Sequence, residues 1–155
     1  MSRAFVKEPD GGEAFEDRPD RPISPHPNVV TPHGLALIEV ALGEAQQQHA
    51  AAQSANDRVM LAKAARDLRY WAARRASAQL VAPPKDASKV QFGSAVTISR
   101  DDGRHQTFRI VGEDEADPAR GTLSYVSPLA RALMGKRVGD LAQAGDAEVE
   151  IVEIA

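Results

Sequence analysis

The sequence predicts an α+β chain, with an amino-terminal antiparallel helical hairpin (a coiled coil) followed by a small antiparallel β-sheet domain with one short helix. Two series of mainly apolar residues recur at alternating spacings of three and four. Pro83-Pro84 then cuts the chain, and β-branched residues alternate in short segments beyond it.

Residues 1–30 combine Gly11 and Gly12 with prolines at 9, 19, 22, 25 and 27, and lack apolar periodicity. Such a segment buries too little surface to offset the cost of ordering it, so a disordered arm is expected over 1–30. A hairpin is expected over 31–82. Thr31-Pro32 reads as its start, with threonine as N-cap and proline at the first helical position.

The first seam is Leu35, Ile38, Leu42, Ala45, His49 and Ala52; the second is Leu61, Ala64, Leu68, Trp71, Arg75 and Ala78. Paired in reverse, from Leu35 with Ala78 to Ala52 with Leu61, every couple shares one sum, as a hairpin requires. The turn falls between Asn56 and Asp57. Ser54 with Asp57 also has the form of a capping box for the second helix. At about 1.5 Å per residue each arm should extend about 30 Å.

The third region is 85–155. Strands are expected over 90–98, 106–111, 121–126 and 147–154, with Asp101-Asp102-Gly103 as a hairpin turn and a weak strand over 138–142. Ser127-Pro128 starts a short helix that Gly135 stops.

Composition narrows the function. The 155 residues, 43% hydrophobic, suffice for one or two small cores, and the absence of cysteine excludes disulfides and thiol chemistry. No apolar run is long enough to span a bilayer and no signal peptide is visible, so the expected location is cytoplasmic. The net charge of −3 is uneven: only 54–84 is clearly basic, with six bases against two acids. That disfavours a dedicated duplex-DNA binder but makes Arg58, Lys63, Arg66 and Arg69 candidate RNA contacts. Neither a phosphate-binding loop nor a Gly-x-Ser-x-Gly elbow occurs. His26, His33, His49 and His105 have no second histidine at ligand spacing, so no metal site and no cofactor of its own are expected.

Several runs together resemble the Gre transcript-cleavage factors: Phe92-Gly93-Ser94-x-Val96-Thr97, the run Phe108 to Pro118, Ser127 to Leu133, and Gly135-Lys136-x-Val138-Gly139-Asp140. The resemblance implies an FK506-binding-protein-like domain at 85–155 that binds RNA polymerase at its secondary channel. It points to Glu113, Asp114, Glu115, Asp117, Ser127, Pro128, Leu129 and Arg131 as the polymerase-binding residues. In the family the hairpin enters the channel, and two acids in an Asp-Leu-x-Glu-Asn type motif at its tip help to hold a magnesium ion at the polymerase's own active site.

This chain departs from that pattern. Gln53-Ser54-Ala55-Asn56 offers no carboxylate, leaving Asp57 as the sole tip acid, and each arm is about two helical turns shorter than in cleavage-competent members. The expected function is therefore a monomeric, non-enzymatic elongation factor with weak or no cleavage stimulation. Two alternatives stand beside it: a coiled-coil adaptor resembling short Gre-like regulators of nucleotide metabolism, and a peptidyl-prolyl isomerase, suggested only by the implied fold.

Overall fold

The structure, a computed structural model, describes residues 19–155; the first eighteen residues of the expected arm lie outside the described residues. The fold is a helical hairpin with a mixed sheet. Helix α1 (Pro32–Ser54) starts as the local signals require: Pro32 occupies the first helical position and the Gly34 amide donates to Thr31 Oγ1 at 2.9 Å.

The turn closes without Ser54 as a cap, which corrects the expected capping box. Asn56 takes a left-handed φ of 53°, the Asp57 amide donates to the Ala52 carbonyl at 3.0 Å, and the Asn56 amide donates to Gln53 at 3.3 Å. This pair of bonds satisfies the Ala52 and Gln53 carbonyls, and Ser54 is the final residue of α1. Asp57 itself caps helix α2 (Arg58–Ser77), accepting from the Met60 amide at 3.1 Å. Asp57→Ala should cost about 1 kcal/mol in urea unfolding while Asp57→Asn stays near wild type, because asparagine caps equally well; an equal loss in both variants would refute the cap.

Along the hairpin Ala45, Ala52 and Ala64 are buried, small residues that let the two helices approach closely. The expected seam fails at Arg75, which is exposed and pairs with Glu39 at 3.1 Å; Arg74 is buried instead. A 3.6-residue period drifts from a strict heptad, so the inward stripe moves within a few turns. Trp71 is half-buried rather than enclosed. Arg66, Tyr70 and Arg74 form another stripe at i, i+4 spacing, which the seam pattern did not show.

The main sheet has the order β5-β4-β3-β7-β6. Its strands are β3 (Ala95–Ser99), β4 (His105–Val111), β5 (Thr122–Ser124), β6 (Leu141–Ala144) and β7 (Ala147–Ile154). Several expected strand bounds shift, and β5 ends at Ser124 rather than at 126. Val90 pairs with the 135–136 turn instead of extending β3, because Gly93 at φ 87° breaks the strand, and Gly139 at φ 91° delays β6. The sheet is also not wholly antiparallel: β5 lies parallel to β4, reached through a 3-10 turn at Pro118–Arg120.

Val96 and Ile98 of β3, Val149 and Ile151 of β7, and Leu133 of helix α3 (Pro128–Leu133) build the core. A bulge opposite Thr97 and Ile98 resets the alternation of β7. That is why Ile154, three residues after Ile151, points into the same core.

The chain forms two compact units, and they do not divide at Pro83. One contains 19–24 with 39–76; the other contains Pro25–Ile38 with Ser77–Ala155. Within the second, β1 (Val29–Val30) pairs in parallel with β2 (Gln79–Leu80), and Tyr125 donates its hydroxyl to the Pro27 carbonyl. These bonds order residues 25–30, which corrects the expectation of disorder there. The hydrogen bonds come from residues far away in sequence, so composition gave no sign of them.

Candidate interaction surfaces

In the second unit the acidic loop 113–117 and helix α3 flank the edge strand β5, one before it and one after. Thr122 at the start of β5 pins the loop. Its Oγ1 accepts from the Asp117 amide at 2.8 Å, and its own amide donates to the Asp117 carbonyl at 3.2 Å. Asp117 precedes the 3-10 turn and lies 3.5 Å from Arg120.

The candidate residues differ in what they offer a partner. Glu115 is engaged internally: Thr31 Oγ1 donates to its Oε2 at 2.6 Å. Glu113, Asp114 and Asp117 are half-buried. Ser127 caps α3, accepting from the Ala130 amide at 3.4 Å, while Leu129 packs against the core. Pro128 and Arg131 are exposed. The sequence singled out both groups, but it gave no sign that Glu115 reaches Thr31, 84 residues away.

A cavity of about 230 Å³ opens beside this site, lined by Thr31, Pro32, His33, Val81, Pro83, Gly93, Arg109 and Glu115. It has no aromatic lining, and it is smaller than the roughly 300 Å³ at which small-molecule sites begin. Phe92 and Tyr125 meet edge to face at 5.8 Å and, with Phe108, pack on the core.

In the first unit the basic residues of α2 are mostly engaged. Lys63 pairs with Asp67 at 2.8 Å, Arg66 is buried, and Arg69 holds Asp20 at 2.6 Å; Arg58 is exposed. Arg21 lies 3.8 Å from the centre of the Tyr70 ring and 5.4 Å from that of Trp71. The Arg69 hydrogen bond holds the Asp20 carboxyl below its ordinary value of 3.8. A lowered folded-state value means that this contact is present above the ordinary carboxylate range and is lost as pH falls through the lowered one. Among the described residues no three His, Asp or Glu side chains gather as a metal ion would require. No described helix is long and apolar enough to cross a membrane.

Comparison with known proteins gives a family match in the carboxy-terminal half of the chain. The family model described as transcription elongation factor, GreA/GreB, C-term matches residues 84–155. Transcription elongation factor GreA of Alkalilimnicola ehrlichii is 51% identical over 71 residues, 43% of this chain and 45% of that protein. Transcription elongation factor GreB of Neisseria meningitidis serogroup B is 40% identical over 95 residues, 57% of this chain and 58% of that protein. The chain thus spans about half the length of these curated relatives. Among solved structures, the GreA/GreB factor from Nitrosomonas europaea aligns at 19% identity and TM-score 0.42, over 82% of this chain and 98% of that one. GreA factor homolog 1 of Thermus thermophilus aligns at 20% and 0.41, over 84% and 99%.

Proposed function

Because the chain belongs to the Gre family through its carboxy-terminal domain, residues 84–155, we propose that it is a cytoplasmic regulator of transcription elongation that binds RNA polymerase at the secondary channel. It acts as a monomer, without a cofactor and without catalysing a reaction itself. The FK506-binding-protein-like domain docks at the channel rim through the surface flanking β5, chiefly Pro128 and Arg131 after the strand, with the acidic loop before it. The hairpin enters the channel, where the exposed bases Arg58, Lys63 and Arg69 meet the transcript.

The observation that carries weak or no cleavage stimulation is the hairpin tip. Its single acid, Asp57, accepts the Met60 amide as a helix cap, and Gln53, Ser54, Ala55 and Asn56 supply no second carboxylate. Two-metal hydrolysis requires ligands that hold an ion close to the reacting oxygens, and a lone capping carboxylate is a poor donor for that task.

Retention of core polymerase by the immobilised protein tests the docking. A Pro128→Ser/Arg131→Glu variant should lose most of the retained polymerase at unchanged thermal stability. Equal retention by both proteins would reject the assigned surface. No retention by either would reject the function and leave the coiled-coil adaptor. With backtracked complexes and magnesium, saturating protein should yield no more shortened RNA than buffer; accumulation of cleaved RNA that Asp57→Asn abolishes would overturn the tip assignment.

A further inference from the structure

Segment 19–24 lies along α2 within the first unit and presents a cation and an anion side by side. Arg69 donates from Nε to both Asp20 oxygens at 3.0 Å and from Nη2 to Oδ1 at 2.6 Å. That is the forked geometry with which a guanidinium also receives a phosphodiester. One residue on, the Arg21 guanidinium lies over the Tyr70 ring and reaches Asp67 at 3.5 Å. Tyr70 and Trp71 meet edge to face at 4.9 Å, so the cation covers an aromatic platform. Single strands bind by joining a phosphate-receiving cation to an aromatic face on which a base stacks. Asp20 fills the first role and Arg21 covers the second.

We propose that residues 19–24 are a reversible strap that occludes the Arg69–Tyr70–Trp71 face of the hairpin against single-stranded RNA. The inference rests on the proposed contact between α2 and the transcript and adds a control on it. The strap is suited to release because its anchoring ion pair is solvent-exposed: the Asp20 and Arg69 side chains are 57% and 56% accessible. An exposed ion pair or cation–π contact contributes about two- to five-fold to the closed population. RNA that offers phosphate and base together therefore displaces the strap at modest cost. Salt screens the same pair and opens the strap without RNA.

Trp71 is the chain's only tryptophan, so its fluorescence reports the strap directly. The test compares the wild type with Asp20→Asn/Arg21→Gln, which removes one charge of each sign and leaves the net charge unchanged. Acrylamide should quench Trp71 more in the variant than in the wild type at low salt, and raising the salt should bring the wild type to the variant's level. An oligouridylate of about ten nucleotides should bind the variant about four- to twenty-five-fold more tightly. Identical quenching of the two proteins at every salt concentration would overturn the strap. Increased quenching with equal or weaker RNA affinity in the variant would overturn occlusion. Increased quenching with no RNA binding by either protein would instead reject the RNA contact itself, and occlusion with it.

Discussion

Replacing Gly112 with alanine should cost about 3 kcal/mol, a large share of the 5–15 kcal/mol that stabilises an ordinary domain. Gly112 follows β4, and a Cβ built there would lie 2.4 Å from the Val29 carbonyl oxygen and 3.6 Å from the Val30 Cα. Both obstacles are backbone, so no side-chain rotation relieves the overlap. The alternative is for segment 27–31 to move off the sheet, which strains the β1–β2 pair and the hydrogen bond from Tyr125 to the Pro27 carbonyl.

Gly43 is the control, because a Cβ there meets nothing within 4 Å. It lies within α1, where alanine gains up to about 1 kcal/mol over glycine from helix propensity alone. Urea unfolding should therefore move in opposite directions for Gly112→Ala and Gly43→Ala. A Gly112→Ala midpoint at or above that of the wild type would mean that the close approach to Val29 is absent in solution.

The sequence revealed features whose cause is local and concealed those whose cause is distant. Thr31-Pro32, the polar turn at 54–57 and Ser127-Pro128 each bring their own cap, so helix ends were legible within a residue or two. Even there two caps competed, and the left-handed Asn56 decided for Asp57 over Ser54. Side-chain alternation marks strands but not their direction, which is why the parallel pairing of β5 with β4 was hidden. The order in residues 25–30 depends on Tyr125, almost a hundred positions away, and a proline-rich composition could not report it. At the candidate site the acidic run was visible as a motif. Its division of labour was not, since Glu115 turns towards Thr31 while Asp117 stays with its own turn.

That division yields the second large effect. Thr31 Oγ1 accepts the Gly34 amide as the cap of α1 and donates to the Glu115 carboxylate at 2.6 Å. A cap contributes about 1 kcal/mol and a hydrogen bond to a charged group about 1.5–3 kcal/mol. Thr31→Val keeps the shape, removes both bonds and should destabilise by about 2–4 kcal/mol. Thr31→Ser keeps the hydroxyl and should lose far less. Glu115→Ala should show only the share owed to the carboxylate, and the difference from Thr31→Val isolates the cap.

Gly34 supplies an independent check on the same geometry. A Cβ there would lie 2.7 Å from Glu115 Oε2, so in the wild type Gly34→Ala must displace the carboxylate from Thr31. In a Glu115→Ala background that clash is gone, the tight contact left is Thr31 Oγ1 at 3.3 Å, and alanine should gain part of the roughly 1 kcal/mol of helix propensity. Gly34→Ala is thus expected to destabilise the wild type and to be less costly or stabilising in the Glu115→Ala variant, the non-additivity expected of residues in contact. A double-mutant cycle read by urea unfolding measures it. Equal effects of Gly34→Ala in both backgrounds would show that Glu115 does not face the start of α1.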